Sequence, residues 1–452
     1  MKDKTKFELK TTHIIMVSFF IAIILGSVLL SLPISSASGV SVPYVDALFT
    51  ATTSVCVTGL VTVTTATAYS TFGHIIILCL IQIGGLGVLT AVFGVVFVMH
   101  KKLGLQNRLL LQDALNLNTT SDISTFVLRM IKWTLIVEGI GALFYMIVFI
   151  PEFGAKGVWY GIFHAVSAFC NAGIDILGEN SLCDYSGNTI VNLTTCGLVV
   201  FSSIGYIVWF DVSNNIKRYR EKAFRIKNLS LHSKVVLLMS ACLVFGGALV
   251  IFLYEYNNPQ TMGAMGLWEK MLASLFQSVT CRTAGFVTIP QENFTNASAL
   301  ISMILMFIGG SPVSTAGGVK TVTFVVLIAA SLSTLRNQAE TELFHRTIRK
   351  QSVNRSVSVV VVSLFIILFS TLGLSTCIDA DFLDLLFETV SACATVGITR
   401  GITGCLNTAG KIVIICTMFL GRVGPISLAI AFNTNKEHKN VIKKPEEEVY
   451  IG

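Results

Sequence analysis

The stretch LFTATTSVCVTGL at residues 48–60 decides how the whole chain is read, because its logic recurs three times. The later copies are FHAVSAFCNAGI (163–174), LFQSVTCRTAGF (275–286) and LFETVSACATVGI (386–398). Each opens on a short apolar run, passes through small and hydroxyl residues to a cysteine, and ends on a glycine followed by a bulky apolar residue. The glycines are Gly59, Gly173, Gly285 and Gly397. A phenylalanine stands ten residues before the glycine in the first, second and fourth copies and nine before it in the third. Internal repetition governs the fold, so every local reading has to respect it.

The chain around the copies is 53% hydrophobic and only 13% charged, with a mean hydropathy of +0.75. Soluble domains average about 25% charge, so there is too little polar surface here to coat a globule. Apolar runs of about 20 residues suffice to cross a bilayer. They fall at 13–32, 72–99, 126–150, 190–210, 235–254, 357–375 and 412–432, with an interrupted eighth at 299–335. These predict an all-α membrane protein with eight transmembrane helices. The first run follows four lysines and has no clear small-residue cleavage site after it, so it reads as a retained helix rather than a signal peptide. Of 11 cysteines, Cys56, Cys170, Cys281 and Cys393 lie in the copies, and no CxxC pair occurs. Apolar packing is the expected role.

The net charge of +7 matters through its placement. Lysine and arginine concentrate in the N-terminal tail (4), 101–132 (5), 217–234 (7), 336–355 (5) and 436–444 (4), together 25 of 32. By the positive-inside rule both termini and the three basic loops are cytoplasmic. Such charge beside spans is what orientation requires, so no nucleic-acid partner is expected.

Eight spans with both ends inside leave four outer connections, and each holds one copy. The repeating unit is therefore helix, short re-entrant pore loop with its glycine turn, helix. Repeat 1 covers 1–100, repeat 2 covers 101–211, repeat 3 covers 212–335 with an interrupted helix, and repeat 4 covers 336–435, before a cytoplasmic tail at 436–452. Irregular backbone at membrane depth is tolerated only against protein or water, so the turns are expected to share a polar axis. The second helices carry matching patterns: LIQIGGLG (80–87), VVFSSIG (199–205), FIGGSP (307–312) and FLGRVGP (419–425). Their opening small residues, Gly84, Ser202, Gly309 and Gly421, lie 25, 29, 24 and 24 residues after the turn glycines. Small residues are common in membrane helices, but two patterns at matching offsets in four places indicate fourfold duplication.

A cation entering a membrane loses its hydration shell, and rings of backbone carbonyls from four loops can replace it. Glycine is needed where a positive φ lets its neighbours' carbonyls point inward. The expected ion-binding residues are therefore Val57, Thr58 and Gly59; Asn171, Ala172 and Gly173; Thr283, Ala284 and Gly285; and Thr395, Val396 and Gly397. Main-chain ligation leaves their side chains free to differ, and the C-terminal dipole ends of short helices add to the attraction.

In the third copy, GGSPVSTAGGVKT (309–321) interrupts what should be a helix. Glycine costs a helix about 1 kcal/mol and proline about 3, so the stretch should unwind. Val319 separates Gly318 from Lys320, which breaks a Walker A pattern. The stretch reads either as a movable segment in the permeation path or as a static kink. Its candidate gate residues are Gly309, Gly310, Ser311, Pro312, Ser314, Thr315, Gly317, Gly318 and Lys320. Arg422 lies roughly 16 Å of helix from the cytoplasmic end, too deep to snorkel, and a central arginine costs at least about 2.5–3.5 kcal/mol. It must face water or polar partners such as the 309–321 carbonyls. Two roles are open to it: a charge barrier that closes a cation path, or a structural tether. Glu138 is a satisfied buried carboxyl or a proton relay.

At these residues the chain resembles the membrane subunits of bacterial potassium uptake systems of the Ktr type, in the Trk/Ktr/HKT superfamily. VCVTGL, TCRTAGF, GGSPVSTAGGVKT and FLGRVGP carry the likeness, which covers all four units. The resemblance implies a single-chain, pseudo-tetrameric pore shaped like a potassium channel with a shortened filter, with K+ as the transported ion. In the family pattern a glycine in every filter turn goes with potassium preference and a serine in the first with sodium; Gly59 fits the former. The resemblance also makes 309–321 an intramembrane gating loop and Arg422 a basic position facing it. It implies a homodimer in the bacterial plasma membrane, seated on a cytoplasmic RCK-type ring of nucleotide-binding regulatory subunits. No GxGxxG fingerprint occurs in this chain, so nucleotide control would come from that partner, docking on 433–452 and 211–234. One departure is Val313 after Pro312, where the family pattern suggests a second glycine. Two functions remain open: a passive or sodium-stimulated potassium pore, and a proton-coupled carrier for K+ or Na+. The carrier needs a titratable group on the path, and the turns offer only Asp175, just after Gly173. No nucleophile–base pair or metal motif points to an enzyme.

Overall fold

The computed structural model describes residues 11–88, 90–93, 111–112, 123–218, 228–338 and 340–424. Around the first copy, α1 (Thr11–Leu30) leads to the short α2 (Tyr44–Cys56), the single turn α3 (Thr65–Ala68) and α4 (Thr71–Leu86). Around the second are α5 (Ile123–Phe153), α6 (Lys156–Phe169), α7 (Thr189–Ile204) and α8 (Tyr206–Arg218). The third has α9 (Leu231–Glu255), α10 (Leu267–Thr280), α11 (Asn296–Phe307) and α12 (Thr321–Leu335). A small hairpin, β1 (Glu342–Leu343) and β2 (Arg346–Thr347), then precedes α13 (Lys350–Ser375), α14 (Phe382–Ala394) and α15 (Thr408–Val423).

Four helices, α1, α5, α9 and α13, are each long and apolar enough to cross a membrane, and each opens one repeat. They are apolar on every side, as helices between lipid and protein must be. Their outer faces leave Phe20, Leu143, Phe245 and Phe369 more than half exposed. In water such contiguous apolar surface would drive association; lipid covers it. The chain is a multi-pass, mostly helical membrane protein. The phenylalanine that marks each copy faces the other way: Phe49, Phe163, Phe276 and Phe387 are all buried.

The second helices begin alike. Ser70, Asn188, Thr295 and Asn407 each cap a helix by accepting a backbone N–H with the side chain, worth about 1 kcal/mol apiece. Each cap stands fourteen residues before the small residue of its helix: Ser70 to Gly84, Asn188 to Ser202, Thr295 to Gly309, Asn407 to Gly421. The unequal offsets seen in sequence thus lie wholly in the loops before the caps, and the distance from cap to small residue is constant.

The runs expected at 72–99, 190–210 and 412–432 are not continuous helices. Instead α4, α7 and α15 end at Gly87 (φ 85°), Gly205 (φ 92°) and Gly424 (φ 89°), each three residues after its small residue. Past Gly205 the chain bends by 90° into α8. A glycine with positive φ ends a helix cheaply, so the interruption read only in the third copy is present in all four. The tail 433–452 and part of the basic loop 211–234 lie outside the described residues.

The small residues of α4 and α15 serve close packing. A methyl group on Gly84 would lie 2.1 Å from the Val55 carbonyl oxygen, and one on Gly421 would lie 2.0 Å from that of Cys393. Both carbonyls sit four residues before a turn glycine. Backbone cannot swing aside as a side chain can, so Gly84→Ala and Gly421→Ala should each cost at least about 1–3 kcal/mol. Thermal unfolding in detergent should show this, while Gly197→Ala, with open space around it, should leave the midpoint unchanged or raise it.

Candidate functional site: four turns that close on one another

Each short helix ends in the same device. In α2, α6 and α14 a left-handed residue follows, and two hydrogen bonds close a Schellman motif. Thr58 N donates to Thr53 O, Ala172 N to Ser167 O and Val396 N to Ser391 O, each at 2.8 Å. The companion bonds run from Val57 N to Ser54 O, Asn171 N to Ala168 O and Thr395 N to Ala392 O. The third copy, one residue shorter between phenylalanine and glycine, instead pairs Ala284 N with Thr280 O at 2.9 Å.

Positive φ occurs twice in every turn. The glycines take it, at 103° (Gly59), 64° (Gly173), 88° (Gly285) and 94° (Gly397). So do Val57, Asn171, Thr283 and Thr395, two residues earlier, at 52–68°. The sequence reading placed this conformation on the glycines alone. A left-handed residue other than glycine costs roughly 1–2 kcal/mol, and three of these four are β-branched.

The four glycines meet in a closed order. A methyl group on Gly59 would lie 2.6 Å from Ala172 O, on Gly173 2.5 Å from Ala284 O, on Gly285 2.6 Å from Val396 O, and on Gly397 2.0 Å from Thr58 O. Each turn therefore touches the carbonyl of the next copy along the chain, and the fourth returns to the first. Hydroxyls brace the turns from behind. Thr53 Oγ1 accepts from Gly59 N (2.9 Å) and Ser391 Oγ from Gly397 N (3.1 Å). Ser167 and Thr280 donate to Ile174 O and Phe286 O, both at 2.6 Å. The buried hydroxyls of Thr58 and Thr395 have no hydrogen-bond partner, which marks a place where something other than protein satisfies them.

Against the ring lies the 309–321 stretch, folded as a hairpin between α11 and α12. Gly309 N donates to Val319 O (3.0 Å) and Val319 N to Phe307 O (3.1 Å). Ser311, Thr315 and Ala316 are buried. Pro312 and Val313 cross to the second copy: Tyr206 N donates to Val313 O (3.0 Å), and a methyl on Gly205 would lie 2.6 Å from Pro312 O. Ser314 Oγ donates within the loop to Ser311 O, and Lys320 Nζ to Ala316 O, both at 2.6 Å. The tip reaches the left-handed residues of three turns. Thr315 Oγ1 donates to Phe169 O (3.1 Å) and accepts from Asn171 Nδ2 (3.3 Å). Gly317 N donates to Thr283 Oγ1 (3.3 Å), and a methyl on Gly317 would lie within 2 Å of Thr395 Oγ1. Gly310 and Gly318 allow the two arms to pass, since methyls there would sit 2.3 Å from Ala316 Cβ and 3.0 Å from Gly309 Cα.

Arg422 ties this hairpin to the first copy, donating to Thr315 O (2.9 Å) and Gly84 O (2.6 Å). Its partners are carbonyls, as its depth required. Glu138 is placed beside α4 and the second turn, accepting from Gln82 Nε2 at 3.4 Å and facing Cys170 Sγ at 3.8 Å. The sequence reading passed over Arg282, which is 1% exposed with a single 3.4 Å bond to Ser240 Oγ. It also missed two ion pairs at the outer side, Arg400–Asp384 and Lys411–Asp46, both 2.5 Å. The second joins the last copy to the first. Both acids stand thirteen residues before a turn glycine, in the first turn of their helix, where the dipole favours an acid; that spacing was visible in sequence.

A ring of converging main-chain oxygens inside a multi-pass helical protein is the apparatus of membrane transport. Residues 1–444 match the sequence model of TrkH, described as a cation transport protein, and the chain belongs to this family. It is 39% identical over 441 residues to the Ktr system potassium uptake protein B of Bacillus subtilis, covering 97% of this chain and 96% of the relative. It is 38% identical over 459 residues to the potassium/sodium uptake protein NtpJ of Enterococcus hirae, covering 100% and 99%. The crystal structure of the potassium transporter TrkH from Vibrio parahaemolyticus shares the fold, with a TM-score of 0.76 at 18% identity over 95% of this chain and 86% of that one.

Arg422 holds the hairpin by one charge-assisted hydrogen bond, to Thr315 O, and anchors itself by a second, to Gly84 O, each worth roughly 1.5–3 kcal/mol. Arg422→Ala should therefore speed amide hydrogen exchange at Gly309, Gly310 and Val319 by about tenfold or more, with little change in α1 or α9. Mass-spectrometric exchange in detergent or nanodiscs measures this directly.

Proposed function

We propose that the ring is a potassium selectivity filter and that the chain is the membrane subunit of a bacterial potassium uptake system. The observation that carries this reading is the closed cyclic order of glycine and carbonyl, which gathers four sets of main-chain oxygens about one axis. Oxygens held by rigid turns can substitute for the hydration shell of a monovalent cation. Four repeats of helix, pore helix and second helix, eight spans in all, then form a pseudo-tetramer on a single chain. The names of the relatives, potassium uptake and potassium/sodium uptake, support K+ as cargo. The glycine in the first turn, Gly59, favours potassium over sodium in this reading.

The hairpin at 309–321 is the gate. It presses on three turns, is pinned by Arg422, and with Lys320 on the hairpin and Arg422 beside it sets positive charge on the cation route. The word "system" in the relatives' names supports a partner subunit; we take it to be a cytoplasmic nucleotide-binding ring beneath a homodimer. Basic loops and both termini then face the cytoplasm of a bacterial cell. A pore is preferred over a proton-coupled carrier because the four turns offer a single carboxylate, Asp175, just past Gly173.

Expression in a bacterium lacking its own potassium uptake should restore growth at low potassium, and failure to do so would count against the whole reading. Gly59→Ala and Gly397→Ala combine a strained φ with a clash against a carbonyl, and should abolish rubidium uptake at normal membrane levels. Arg422→Ala should instead raise basal flux into vesicles; unchanged flux would make Arg422 a tether. Flux that required a proton gradient at constant voltage would favour the carrier.

A further inference from the structure

The residue after the marker phenylalanine is Thr50, His164, Gln277 and Glu388 in the four copies, and all four are buried. In three copies this side chain is a strut between the short helix and the segment leaving the turn. Tyr69 donates to Thr50 Oγ1 (3.1 Å). Gln277 and Gln291 bond reciprocally at 2.7 and 3.0 Å. Glu388 accepts from Thr399 Oγ1 at 2.6 Å and from Thr403 Oγ1. Gln291 and Thr403 occupy the same place, six residues past their glycines. Thr399 is two residues past Gly397.

Only the fourth strut is a carboxyl, and its partners present it as an acceptor. Thr399 Oγ1 accepts from Gly401 N (3.1 Å), which directs its own proton to Glu388 Oε2. The two oxygens of Glu388 tie two residues of the exit segment at once, where Thr50 accepts from one. The nearby Asp384 is paired with Arg400, so it is already neutralised. Arg400 also donates to Gln291 O (3.1 Å) and Phe294 O (3.3 Å), which couples the third and fourth exit segments.

We propose that Glu388 is a positioning residue for ion selectivity: its bonds to Thr399 and Thr403 fix the exit from the fourth turn, and so set which monovalent cation the ring accepts. This rests on reading the ring as a cation filter and names the part of it that discriminates. The argument is geometric. Carbonyl spacing distinguishes cations only where the turn cannot relax. The fourth turn has both the tightest approach, Gly397 on Thr58 O, and the one carboxyl strut, bonded to two residues.

Rubidium and sodium uptake, measured side by side in proteoliposomes, test it. Glu388→Ala should lower the rubidium-to-sodium ratio about tenfold, the order of the two hydrogen bonds lost. Thr403→Val removes one of two bonds and should move the ratio the same way by less, which serves if Glu388→Ala does not fold. Glu388→Gln should recover part of the loss. Glu255→Gln is the control: this buried carboxylate holds Thr261 and Thr295 in the outer loop of the third copy and should leave the ratio unchanged. Wild-type ratios in folded Glu388→Ala and Thr403→Val would overturn the inference while leaving the filter standing. An equal or larger drop in Glu255→Gln would also overturn it, by showing a general structural effect. No rubidium preference in the wild type would overturn the filter and this inference together.

Discussion

The absence of a side chain at four positions is the constraint on which everything else depends. Each turn glycine faces the carbonyl of the next copy at a distance that one methyl group would violate. Four strands of backbone can approach that closely only if their other polar groups are already satisfied, because unsatisfied amides at membrane depth are costly. The Schellman bonds and the bracing hydroxyls discharge that requirement before the turns meet. The membrane-spanning helices then act as walls around a structure whose precision comes from hydrogen bonds within a few residues of the axis.

The ring holds strain as well. Val57, Thr283 and Thr395 adopt a conformation that β-branched residues avoid, and α-helix caps keep them there. Such strain persists only where the surroundings over-determine it. The hairpin touches two of them, Thr283 and Thr395, so any movement of the hairpin alters the support of the most strained part of the chain. The mechanical link between loop and ring is therefore short, running through Asn171, Thr283 and Thr395 and no intermediary.

Much of this was legible from the residues. Glycine, phenylalanine and cysteine at near-constant offsets exposed the four copies, and an interrupted helix with proline and glycine exposed the hairpin. What escaped had physical reasons. Left-handed Val57 and Thr395 are invisible because propensity argues against them, and only tertiary support overrides it. The breaks at Gly87, Gly205 and Gly424 were hidden inside runs that hydropathy scores as continuous. The common cap-to-glycine length of fourteen was masked by outer loops of different size. Pairings such as Arg422 with Gly84 O join residues 338 apart, and no local pattern reports a contact that distant. The family resemblance supplied the transported ion and the regulatory partner, which spacing and composition could not.

The hairpin interrupts one second helix in a protein that has four. Were the ring assembled from identical subunits, symmetry would place four such hairpins at one point, where there is room for a single one. Fusing the copies into one polypeptide lifts that restriction. Each quarter can then drift toward its own task, one supplying the hairpin, another an arginine that pins it, while the backbone geometry they share at the centre stays common to all.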